Sequence, residues 1–163
     1  MAKKEIRDFK NLGKHRTSAS SQRHDSSSKG SKGLPDGYLQ QGYFDAQKHL
    51  KREYIVEYAD DIARKLAYDK SKQMSAAGLR RFFTKVRFLE RKLMVKKDFA
   101  AIVPEILALI PYAHNAKTRG VVPHLFQEFI EKNVNTAVES EEAFCQGFLK
   151  HFEYIVAFFP KSR

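Results

Sequence analysis

From Tyr43 onward the apolar residues recur at helical spacing, and no alternating strand pattern of any length interrupts them. Ile55, Tyr58, Ala59, Ile62 and Leu66 predict a first helix over about residues 46–69. Leu79, Phe82, Phe83, Val86, Leu89 and Leu93 predict a second, with Ser75 as its N-cap and an end near Val95. A third covers about 99–117, carried by Ile102, Val103, Ile106, Leu107 and Ile110. Pro111 lies inside it and cannot donate a backbone hydrogen bond, so a kink or break is expected near Ala108. Pro123 suits the first turn of a fourth helix, whose inner face is Leu125, Phe126, Phe129 and Ile130. Ser140 caps a fifth, with Glu141 and Glu142 at the positive end of its dipole and Phe144, Phe148, Phe152, Ile155 and Phe159 inward. The expected fold class is all-α, a compact bundle of about five helices.

Residues 1–40 have a different character. The run Thr17–Gly33 holds almost no apolar side chain and cannot offset its ordering entropy, so a flexible, basic, Ser/Lys-rich arm is expected over 1–40, ahead of a helical domain over 41–163. Pro35-Asp36-Gly37 reads as a turn closing that arm. The arm adds weak electrostatic grip on RNA or serves only as a solubilising tail; composition does not choose between the two.

Charge changes the picture most at the second helix. The 163-residue chain carries a formal net charge of +11, and ten basic residues against one acid, Glu90, fall between Lys70 and Lys97. Arg80, Thr84, Arg87 and Arg91 follow i, i+4, i+7, i+11 along one edge, and Arg81, Lys85 and Lys92 occupy the adjoining edge. Solubilising faces usually mix signs, whereas a one-sign row with arginine forks suits phosphate oxygens. Such a row binds a nucleic-acid backbone through counterion release and needs no base contact. Lys117 and Arg119 follow the third helix; they either complement its C-terminus or extend the RNA contact. The segment from Gly120 to Arg163 is slightly acidic, with six acids and four bases, and could meet a basic surface of a neighbouring copy or subunit.

Catalytic chemistry finds little support. The six histidines show no metal-ligand spacing, and Cys145 is the only cysteine, so neither a disulfide nor a cysteine-based zinc cluster can form within the chain. His114 with His124 as an acid–base pair for RNA cleavage is the enzymatic rival, against the plainer reading of caps or surface residues. Asp60 and Asp61 diverge by about 100° on a helix and do not converge on an ion. Cys145 reads as a small core residue, and the aromatic row of the fifth helix as core rather than a base-stacking platform. No glycine-rich phosphate loop appears. Neither a membrane-spanning run nor a signal peptide is visible, so a cytoplasmic protein without cofactor is expected. Membrane binding by the basic helix would require exposing Leu79, Phe82 and Val86, which a packed bundle buries.

Three stretches resemble a known family. Met74-Ser-Ala-Ala-Gly-Leu-Arg-Arg-Phe82 is similar to the L-T-T-S-Q-I-R-K-F segment of the small subunit of type III-A CRISPR effector complexes. Leu109-Ile-Pro-Tyr-Ala-His-Asn-Ala-Lys-Thr-Arg119 resembles that family's L-x-P-x-L-A-Y-x-x-G-R pattern, and Phe144 to Phe158 its F-x-x-F-x-x-F-E-A-V-V-A-Y ending. Order and spacing agree over about residues 50–159, outside the Ser/Lys arm. The resemblance implies a non-catalytic RNA-backbone clamp with several copies stacked head to tail along target RNA paired to guide CRISPR RNA. Its partners would be further copies and the backbone and large polymerase-like subunits. Arg80 and Arg119 fall on arginines of the family pattern; Arg81, Lys85 and Arg87 share their surface by helical geometry, and Arg91 and Lys117 complete the expected RNA-binding residues. The alternative is a general helical RNA- or DNA-binding protein unrelated to CRISPR.

Overall fold

The computed structural model describes residues 32–161, so most of the expected arm lies outside the described residues. Among the described residues the structure is helical, and its one β feature is an isolated bridge between Phe44 and Leu50. In chain order the elements are α1 (Arg52–Ile55), α2 (Glu57–Tyr68), α3 (Ala76–Lys96), α4 (Val103–Leu107), α5 (Leu109–Thr118), α6 (His124–Ala137), a π-helical turn (Ala143–Phe148) and α7 (Leu149–Phe158). They make five helical units, because α1 runs into α2, α4 into α5, and the π turn into α7.

Local chemistry accounts for the boundaries. Ser75 Oγ accepts from the Gly78 N–H at 3.0 Å and opens α3, as expected of an N-cap. The expected break falls at Ala108, where α4 ends and α5 begins: Pro111 has no N–H to offer the Leu107 carbonyl. Pro123 stands just ahead of its helix as N-cap rather than inside the first turn. The first helix begins at Arg52, six residues later than the periodicity suggests. There Asp45 Oδ1 accepts from the Gln47 and His49 N–H groups at 2.9 Å each, and Lys48 takes φ +63°, which closes a tight turn.

The last helix departs from its expected form. Ser140 Oγ caps it by accepting from the Ala143 N–H at 3.0 Å, but the next turn is π-helical, with the Leu149 N–H bonded to the Phe144 carbonyl five residues back. The wider turn brings Gly147, Phe148 and Leu149 inside together, and His151, Phe152 and Ile155 follow. Gly147 is required by a close approach: a Cβ there would lie 2.7 and 2.9 Å from Cγ and Cε2 of the buried Tyr43 ring. Phe159, expected in the inner row, is only partly buried.

The core centres on α6, whose Phe126 and Phe129 meet Phe148 and Phe152 edge-to-face and tilted, with Phe129 and Phe152 centroids 5.3 Å apart. Leu79, Phe82, Val86, Leu89 and Leu93 of α3 are buried in the same core. Leu34 and Tyr38 are buried in it as well, although both lie within the 1–40 zone. Tyr38 and Tyr43 are held by Asn133 of α6. Asn133 Oδ1 accepts from Tyr43 Oη at 2.7 Å, while its Nδ2 donates to Tyr38 Oη at 2.9 Å and to the Phe129 carbonyl at 2.7 Å. The segment ahead of α1 is thereby fastened to the centre of the fold.

Candidate nucleic-acid interface

The buried row of α3 turns both basic edges of the helix outward, and the seven expected residues are not equivalent there. Arg87 is half-buried and held by Glu90 of the next turn, with Nη1 3.3 Å from Oε2. Lys92 is spent on Glu105, joining α3 to α4 at 2.5 Å. Arg80, Arg81, Lys85 and Arg91 are exposed and have no carboxylate within 4.0 Å among the described residues. Their charge is free to meet an anion from outside.

Arg119 reaches the same side from α5. The helix ends in a Schellman motif: the Gly120 N–H bonds the Lys117 carbonyl and the Val121 N–H the Ala116 carbonyl, each at 2.9 Å, with Gly120 at φ +66°. Backbone groups therefore satisfy those terminal carbonyls, and the side chains of Lys117 and Arg119 are not needed for it. Arg119 and Arg81 line one open groove of about 220 Å³ between the start of α3 and the end of α5, floored by Phe82, Tyr112 and Val122. Lys85 does not line the groove itself, but its Nζ lies 4.3 Å from the centroid of the Tyr112 ring, which does. The structure thus brings together Arg81, Lys85 and Arg119. Arg80, Arg87 and Arg91 remain along the outer edge of α3, and Lys117 is exposed near the end of α5 without lining the groove.

The residues weighed for catalysis have other surroundings. His114 Nδ1 is 3.3 Å from Gln127 Nε2, which ties α5 to α6. Asp60 and Asp61 are each paired one turn on, with Arg64 and Lys65, at 2.8 Å. Burial, with Glu90 and Glu141 nearby, pushes the Cys145 thiol up to about 11, which suits a core residue and not a thiolate nucleophile. His151 is fully buried, with Nδ1 2.6 Å from the Tyr54 carbonyl, and burial lowers its pKa to about 4 despite that bond. Among the described residues, no three His, Cys, Asp or Glu side chains come together as metal ligands, and no helix is long and apolar enough to cross a membrane.

Sequence reasoning missed Tyr112 as part of this surface, and Asn133 and His151 as buried polar groups. Asn133 and His151 each interrupt an apolar helical row, which was a usable signal. Tyr112 carried none, since only the tertiary fold places its ring beside Phe82 and Lys85 of α3.

A family model described as Csm2 Type III-A matches residues 49–161, a span that includes the groove and both edges of α3. No curated protein and no solved structure matches the chain.

Proposed function

The chain belongs to the Csm2 type III-A family, the small subunit of the type III-A CRISPR effector complex, and from that premise we propose that it is a non-catalytic RNA-binding subunit. It holds the backbone of target RNA paired to guide CRISPR RNA by contacts from α3 and from the turn after α5. The observation that supports this most is that Arg81 and Arg119 line one groove, with Lys85 over the Tyr112 ring that also lines it, none of the three neutralised by a carboxylate among the described residues. Arg80 and Arg91 extend the same sign of charge along the outer edge of α3, where a backbone can continue beyond the groove.

Contacts of this kind are indifferent to sequence, which suits a complex whose guide supplies recognition by base pairing. A single copy makes few phosphate contacts and binds modestly; copies placed side by side on one strand gain by avidity. Partners in this reading are further copies, the backbone subunit and the large polymerase-like subunit, in the cytoplasm. Membership of the family speaks against the general RNA- or DNA-binding alternative.

The test is a titration of the full chain against labelled single-stranded RNA and guide–target duplex, for wild type and for Arg81→Glu with Arg119→Glu. Helical content by circular dichroism verifies the fold of each. A loss of RNA affinity of about tenfold or more in the folded double variant is expected. Equal affinity of the two proteins removes the groove from the RNA path.

A further inference from the structure

Tyr112 sits on α5, yet its ring serves α3. The ring is 45% exposed, its centroid lies 4.9 Å from that of Phe82, and Lys85 Nζ stands 4.3 Å from the same centroid. A lysine head on a helix surface is ordinarily mobile, and holding it in one place costs rotamer entropy. Among the described residues no carboxylate restrains it, and the face of an aromatic ring does so instead. A carboxylate in that place would have cancelled the positive charge; the ring restrains the ammonium and leaves the charge intact. Phe82 in turn fixes the ring against the core through Phe126, whose centroid is 4.7 Å from that of Phe82.

We propose that Tyr112 is a positioning residue for RNA binding: its ring, which lines the groove together with Arg81 and Arg119, holds the Lys85 ammonium in place beside them before RNA arrives. The inference rests on the RNA-binding reading above and adds a residue whose contribution passes through Lys85. Pre-placement of a charged group strengthens binding by removing part of the ordering cost that association otherwise carries.

A double-mutant cycle on the full chain tests it, with affinity for labelled single-stranded RNA as the readout and circular dichroism as the fold check. Tyr112→Leu is expected to weaken binding about two- to fivefold, the range of an exposed cation–π contact. Tyr112→Phe, which keeps the ring, is expected to bind as wild type does. In a Lys85→Ala background, Tyr112→Leu should cause no further loss, because the residue it positions is gone. Independent losses that multiply in the double variant overturn the inference and mean that the ring touches RNA directly. So does a Tyr112→Phe variant as weak as Tyr112→Leu, which would assign the effect to the hydroxyl. Absence of salt-dependent RNA binding by the wild type overturns both this inference and the RNA-binding reading. Strong wild-type binding with multiplicative losses overturns this inference alone.

Discussion

Helices α2 and α3 both carry cations, and they treat them oppositely. In α2, Arg64 and Lys65 each face an aspartate one turn earlier, at 2.8 Å, and the charge is consumed within the helix. In α3, Arg80, Arg81, Lys85 and Arg91 have no such partner, and only Arg87 is answered along the helix, by Glu90. Helix stability does not require the second arrangement, since unneutralised like charges along one helix repel. Charge left open on one helix and closed on its neighbour marks which surface is available to a partner.

The comparison extends to the interior. Beneath the open charges of α3 lies a core in which Asn133 is bonded to two tyrosines and a carbonyl. The largest expected effect therefore belongs to the core and should leave the charged surface untouched. Gly147→Ala sets a methyl against the Tyr43 ring, which cannot swing aside because its hydroxyl is fixed by Asn133. A loss of about 3 kcal/mol in denaturant unfolding is expected, with RNA affinity per folded molecule unchanged. A fully stable variant would show that the π turn can shift to make room.

Next in size is the pH response of His151. Its pKa falls from 6.5 when unfolded to about 4 when folded, so between those values the unfolded chain binds more protons. The stability this histidine confers is complete above about pH 6.5 and is lost as the pH falls toward 4, by up to about 3 kcal/mol. Unfolding midpoints measured across that window should decline more steeply for wild type than for His151→Gln; parallel curves would mean that this histidine is not the group that titrates.

Smaller again is the contrast between the two edges of α3. Arg80→Glu with Arg87→Glu should weaken RNA binding less than Arg81→Glu with Arg119→Glu, because Glu90 already answers part of the Arg87 charge. The reverse order would place the strand on the outer edge of the helix. The smallest effect is the control on α2: Arg64→Glu breaks a surface pair and should cost at most about 0.5 kcal/mol of stability, with RNA affinity changed less than about twofold.

The sequence made the helical units legible wherever local chemistry decides the outcome. The α3 row, the Ser75 cap and the break at Ala108 follow from side-chain spacing, a hydroxyl acceptor and a proline. Periodicity misled over residues 46–51, where the Asp45 carboxylate turns the chain before a helix can begin. The π turn was hidden because no local sequence signal marks it; the close approach of Tyr43 to Gly147 within it is a tertiary contact. Composition hid Leu34 and Tyr38, two apolar anchors at the end of a Ser/Lys-rich run. For the candidate interface the split is the same: each basic residue could be named from its place on or just after a helix, while the side-chain approach of Tyr112 to Lys85, and the groove shared by Arg81 and Arg119, depend on the tertiary fold.

The central claim, that charge left open at the α3–α5 groove is charge that meets phosphate, is tested most directly by the salt dependence of RNA affinity. Plotted as log K against log salt for single-stranded RNA, the wild-type line should fall more steeply than that of the folded Arg81→Glu, Arg119→Glu variant, its slope more negative by about 1.4, or 0.7 for each phosphate contact removed. Parallel lines would contradict the account, because they would mean that neither arginine displaces counterions from the strand.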